Sequence, residues 1–298
     1  MSVTIASLSQ LQENYNPHDL ADRSKMSIDL IIIKLVVAVS AVLSLSLVAE
    51  HVSPKAAGIW SGFPLGAAIV LFFYGLEISP QFASDSSTYT LVGLIGTQAF
   101  SYFYYRASLR LKKLNILIST ITSIGGFFFV SWLLHFITLS RVSAIIIAVF
   151  SQAGFAYLFR EIKDSTISNK IKLTHKVIVI RAFMAASMML TVIGVARLVG
   201  SKWAGLFSAF PSTLLPLLLI IHFTYDKGHV HTIIKHLPRG LGSVITYAVT
   251  VSLSYPVLGV YLGTVLAFIM AALYLSAFFF VTTKFWKQAP EEVPLSEP

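Results

Sequence analysis

Two cations, Lys34 and Arg181, stand 147 residues apart, each inside an apolar stretch. A cation at that depth is costly unless it snorkels to the interface, faces a cavity or meets a partner. An equivalent pair would supply contacts for an anion along a path. At the same spacing a second pattern recurs. Lys55-Ala56-Ala57-Gly58-Ile59-Trp60-Ser61-Gly62-Phe63-Pro64 reappears as Lys202-Trp203-Ala204-Gly205-Leu206-Phe207-Ser208-Ala209-Phe210-Pro211. Proline removes a backbone donor and disturbs the turn before it. A helix broken at Pro64 or Pro211 would leave N–H groups pointing into the protein, a ready anion site. An ordinary proline kink, with Gly58, Gly62, Gly66, Gly205 and Ala209 packing closely, is the other reading. Candidate substrate contacts are therefore Lys34, Arg181, Ser61, Phe63, Pro64, Ser208, Phe210 and Pro211, with Gln98 as a further polar residue on the path. Pro216 would add a second disruption in the later copy.

His222, Asp226, His229, His231 and His236 form the one constellation of metal-ligating types. His222 and Asp226 have helical i, i+4 spacing, and imidazole with carboxylate suits zinc or iron. The first copy has Gly75 and Ser79 in their places, and Lys227 and Lys235 interleave with the histidines, so no metal or other cofactor is expected. Glu50, His51, Glu77, His135 and Gln152 read as interface or interhelical hydrogen-bonding residues. Cysteine is absent, which excludes disulfides, thiolate metal sites and cysteine nucleophiles. Phosphate-loop, nucleophile-elbow and zinc-protease motifs are also absent, so the chain does not read as an enzyme.

The elements that must position these residues are membrane helices. Of the 298 residues 56% are hydrophobic and 12% charged, and the mean hydropathy is +0.78. A soluble domain needs more charge to cover its surface. Apolar stretches of spanning length fall near 28–49, 56–78, 88–106, 114–137, 142–160, 177–198, 203–225, 238–256 and 259–283. These nine predicted spans put the termini on opposite faces. Arg23, Lys25, Arg141, Arg197 and Lys202 share the face of the N-terminus, while the other face collects fifteen Lys and Arg. The positive-inside rule then predicts the N-terminus outside and the C-terminus in the cytoplasm of a bacterial inner membrane. The net charge of +9 is explained by these loops rather than by nucleic acid.

Over 28–64 and 175–211, fourteen of 37 residues are identical without a gap, and the next helix pair aligns through Gly93-Leu94 and Gly240-Leu241. The chain thus divides into a polar tail (1–27), a four-helix repeat (28–137), a linking helix and loop (138–174), a second four-helix repeat (175–284) and a C-terminal tail (285–298). Four spans return the chain to its starting face and the linking span crosses it over, so the second repeat enters inverted. The loop around Ser79–Ser87 lacks Lys and Arg while its counterpart at Asp226–Arg239 is basic, in keeping with inversion. Through Ala204-Gly205-Leu206, Phe210-Pro211, His222 and Gly228 the second repeat resembles the small four-span GlpM-like membrane proteins. That resemblance implies a membrane fold, with two such units fused here, and brings no substrate or catalytic residue.

The fold class expected is an all-α polytopic membrane protein with two inverted four-helix repeats. Its expected role is alternating-access secondary transport of a small anionic solute, such as a carboxylate or phosphate compound. A flippase for an anionic lipid and a non-transporting accessory protein for envelope or polysaccharide assembly are the alternatives. The expected partners are the solute or anionic lipid, the bilayer, and a possible second copy in a homo-oligomer.

Overall fold

The computed structural model describes residues 51–110, 115–167 and 200–286, with scattered positions in 32–50 and 179–187. It divides into two compact units, Met1–Val37 and Ala38–Pro298. In the first, Ile32, Ile33 and Val36 are helical and exposed. In the second, every regular element among the described residues is a helix. The spans expected at 28–49 and 177–198 lie largely outside the described residues, and Lys34 and Arg181 lie outside them altogether.

Helix α1 (Pro54–Trp60) starts where the Ser53 hydroxyl accepts the Ala56 N–H and Pro54 sits in the first turn, where no N–H is needed. It stops at Ser61, and α2 (Leu65–Glu77) resumes after Pro64. α3 (Pro80–Arg110) follows at once, with the Ser79 hydroxyl accepting the Phe82 N–H. α4 (Asn115–His135) folds back along α3, bringing Gly126 onto Phe103 and Gly96 onto Phe127. α5 (Arg141–Leu158) is capped by Ser140 and is largely exposed, with Val142, Val149 and Phe150 facing outward.

The second broken pair is α6 (Ser201–Ser208) and α7 (Leu214–Thr224), separated by Ala209–Thr213. α8 (Lys227–Trp286) comprises two helical arms, 227–258 and 260–286, meeting at Gly259 with φ 75° and ψ 176°. Only glycine enters that region without strain, and it lets the arms fold back on one another. Tyr255 then bonds Thr264, Gly242 meets Tyr274, and the Tyr274 hydroxyl donates to the Arg239 carbonyl.

Two expectations change here. The stretches read as loops at Ser79–Ser87 and Asp226–Arg239 are the first turns of α3 and α8, because Ser79 and Asp226 act as helix caps. Pro216 breaks nothing. It is the third residue of α7, where a helix has no use for its N–H.

Four stretches among the described residues are long and apolar enough to cross a membrane: Pro54–Glu77, Asn115–His135, Arg141–Leu158 and Lys227–Val281. At about 1.5 Å per residue α3 also has the length. Its Ser84, Ser86, Ser87, Thr90, Thr97, Gln98 and Ser101 make it more polar, and all of them are buried inside the protein.

The broken helices cross the long ones at glycines. A Cβ on Gly58 would stand 2.5 Å from the Ile233 carbonyl oxygen, and Gly62 lies directly on Gly240. Across the same crossing of the other pair, Gly205 lies on the Ser86 carbonyl and Ala209 on Gly93. Each of these four positions is 147 residues from its counterpart, and so are Pro80 and Lys227, the first residues of α3 and α8.

Candidate functional site: the cavity between two broken helices

At both breaks the backbone takes the same path. Gly62 N donates to Ile59 O, Phe63 N to Trp60 O, Leu65 N to Phe63 O and Ala68 N to Pro64 O. Ala209 N, Phe210 N, Ser212 N and Leu215 N repeat those four bonds to Leu206, Phe207, Phe210 and Pro211. The cause is local. Pro64 and Pro211 cannot donate, and each drives its preceding phenylalanine out of helical geometry. The sequence left a kink and a true discontinuity open; the structure contains the discontinuity.

The carbonyls at the breaks are used. Besides those just named, Gly58 O accepts from the Ser61 hydroxyl, Gly62 O from Ser243, Gly205 O from Ser208 and Ala209 O from Thr97. The N–H groups are not. Gly66, Ala67, Thr213 and Leu214 stand at the starts of α2 and α7, and their N–H groups meet no acceptor among the described residues. A buried N–H without a partner costs about 1–3 kcal/mol, so these four call for water or a ligand. The partial positive charge at a helix start suits an anion better than a cation.

All four residues line one cavity, together with Ser61, Phe63, Pro64, Leu94, Thr97, Ser208, Ala209, Phe210, Pro211, Leu237, Leu241 and Val244. Fourteen of these sixteen form seven pairs at the 147-residue spacing, from Ser61 with Ser208 to Thr97 with Val244. The cavity is therefore shared equally by the two copies of the motif. Its volume, measured at water centres, is about 40 Å³, enough for a few water molecules or a small ion. Its lining residues include no charged side chain. The Thr213 side chain is nine-tenths buried, lines the space and has no hydrogen-bond partner among the described residues. It is a further donor or acceptor for an occupant. Phe210 is held by Phe127, 5.0 Å away edge to face, and Phe63 by Phe268 at 5.9 Å, so the walls are rigid aromatics.

Six of the candidate contacts thus meet around one space: Ser61, Phe63, Pro64, Ser208, Phe210 and Pro211. Gln98 is not among them. Its amide nitrogen donates to Ser151 on α5, 3.2 Å away, and it ties α3 to the linking helix. His222 bonds Tyr104 at 2.9 Å, and the Asp226 carboxylate accepts from the Gly228 N–H. His229 turns to Ser165, His231 to Ser108 and His236 to Asp164. Each histidine has its own partner, and no group of three donors able to hold a metal gathers among the described residues. Missed in the sequence were Thr97, Thr213, Leu94 and Leu241. The weak Gly93-Leu94 and Gly240-Leu241 match was the available signal for the last two: the glycines take the broken helices and the leucines face the cavity.

At one end of the assembly the loop after α5 closes over α8. The Asp164 carboxylate meets Lys235 at 3.2 Å and His236 at 2.9 Å, and Arg239 donates to the other nitrogen of His236. An imidazole that accepts from Arg239 and donates to Asp164 is neutral. Partial burial pushes the Asp164 carboxyl up, but the hydrogen bond from His236 and the hydrogen bond and charge of Lys235 outweigh it and hold the group below its ordinary value. The chain matches no protein-family model, no curated protein and no solved structure.

Proposed function

We propose that the protein is a secondary transporter for a small anionic solute, and that the cavity between the two Phe-Pro breaks is its substrate site. The observation that carries this is the seven lining pairs at constant spacing, with four open N–H groups among the residues they contribute. A site built equally by two repeats is the arrangement from which one can open to either face with similar energy. The matching helix starts at Pro80 and Lys227 support the larger reading: nine spans in two inverted repeats, with α5 crossing between them. The GlpM-like resemblance is in keeping with that reading, as is an inner-membrane location with the N-terminus outside.

The size of the space favours a compact anion, bound by the dipoles of the two helix starts and the Thr213 hydroxyl rather than by a paired cation. Lys34 and Arg181, the equivalent cations of the two repeats, are proposed as further contacts for the same anion. A flippase needs its cargo path open sideways to the bilayer. The lateral groove between α5 and α8, described below, shares no lining residue with this cavity, which favours solute over lipid as cargo.

Proteoliposome uptake of small carboxylates, phosphate and halides tests the proposal. Wild type is expected to move at least one, with Lys34→Ala and Arg181→Ala raising the half-saturating concentration. If no anion moves, or if both variants match wild type while Thr213→Val also has no effect, the proposal fails.

A further inference from the structure

A second space lies on the outside of the bundle. Val149, Gln152, Ala153 and Ala156 of α5 form one wall, and Gly242, Ile245, Thr246, Tyr274 and Phe278 of the two arms of α8 form the other. Its volume, measured at water centres, is about 400 Å³, ten times that of the central cavity. Val149 is half exposed, Ala153 is exposed, and the flanking Ile146 and Phe150 also face outward, so the groove opens on the apolar surface. In a bilayer such a groove is filled by hydrocarbon, since water there would find too few partners.

One end is different. Pro238 and Arg239 close the groove, with the Gln152 amide donating to the Pro238 carbonyl at 2.7 Å. Arg239 is exposed and uses one of its five N–H groups on His236. Lys235 lies one turn away on the same helix, and Lys55 stands one turn before Gly58, which packs on the His236 side chain. Against Lys235 and Arg239, the carboxylate that the described residues bring to this end is Asp164, bonded to Lys235 and His236. The local charge is positive, next to a slot of about 400 Å³ lined mostly by apolar side chains. We propose that this groove is a binding site for an anionic phospholipid, with an acyl chain between α5 and α8 and the phosphate at Arg239. A soluble phosphate compound would leave the slot unused, and a zwitterionic lipid would leave the charge unanswered. The site is distinct from the central cavity and stands whether or not that cavity transports an anion.

Native mass spectrometry of the full chain, released from detergent containing phosphatidylglycerol or phosphatidylcholine, reads the site directly. Phosphatidylglycerol is expected to be retained about tenfold more than phosphatidylcholine, from two cations acting on one headgroup. Arg239→Gln should remove most of that preference and Arg239→Lys should keep it. Ala153→Trp, which fills the slot from an exposed position, should lower retention of phosphatidylglycerol without lowering the unfolding temperature in lipid-free detergent. Equal retention of the two lipids overturns the proposal. So does retention that survives Ala153→Trp, because the acyl chain would then lie elsewhere.

Discussion

Thr97 and Thr213 both line the central cavity but have opposite duties. The Thr97 hydroxyl donates to the Ala209 carbonyl and so holds the second break in shape. Thr97→Val leaves that carbonyl without its donor and should cost about 1–3 kcal/mol, read as a lower unfolding temperature in detergent. The Thr213 hydroxyl has no such bond to lose. Thr213→Val should leave the unfolding temperature unchanged and weaken anion binding about tenfold or more, the usual worth of a hydrogen bond to a charged group. Similar effects of the two variants on stability would show that Thr213 is structural. Asp164 supplies a pH test. Its folded-state carboxyl is held below the ordinary value, so its hold on α8 is complete above about pH 4 and is lost as pH falls through the depressed value. Pepsin cutting within 159–167, normalised at each pH to cutting of an unstructured reference peptide, should rise as pH falls below about 4. Asp164→Asn should remove that pH dependence, and an unchanged profile in the variant would refute the assignment.

At the scale of elements the glycines decide what can pack. Gly205 lies on the Ser86 carbonyl where α6 crosses α3, so Gly205→Ala forces backbone apart and should cost about 1–3 kcal/mol. Gly154 on α5 has open space beside it, and Gly154→Ala should be neutral or slightly stabilising by helix propensity. Thermal unfolding of the two variants separates a crossing point from a spacer, and equal shifts would refute it. The same elements explain what could be read from the chain. The breaks were legible because proline leaves a mark at a fixed position, and their equivalence because the surrounding residues repeat. Apolar length located α4 and α5. It misjudged the start of α3, since the serines at 84, 86 and 87 look like loop residues until a second helix covers them. Gln98 shows the same difficulty. A buried polar residue inside a span announces a neighbour, but sequence does not say whether that neighbour is the cavity or Ser151 of another helix. Asp226 has the spacing of a metal ligand to His222, a reading set aside on sequence grounds, and its carboxylate accepts from the Gly228 N–H two residues on.

For the molecule as a whole, the symmetry of the cavity bears on transport more than any one contact does. If alternating access is correct, variants at equivalent positions should act on opposite faces. Ser61→Ala and Ser208→Ala would then change anion affinity from different sides of an oriented membrane, measurable in right-side-out and inverted vesicles. Identical effects from both sides would argue for a fixed site that does not change its exposure. The lateral groove adds a separate requirement, in that activity in pure phosphatidylcholine should rise on adding phosphatidylglycerol. Arg239→Gln should blunt that rise, and a wild-type response in the variant would detach the lipid from function.

The crossing of Gly58 and Gly62 over Ile233 and Gly240 also governs how the chain is made. The first broken helix finds its cover in a segment synthesised some 180 residues later, which at about 5–20 residues per second is on the order of ten seconds or more. If this helix enters a bilayer as its apolar length allows, its notched face stays unmatched throughout that time. Early synthesis therefore favours whatever can shield that face, an insertion factor or the wrong neighbour. Slowing translation between the two copies would lengthen this exposed interval and lower the yield of correctly folded protein.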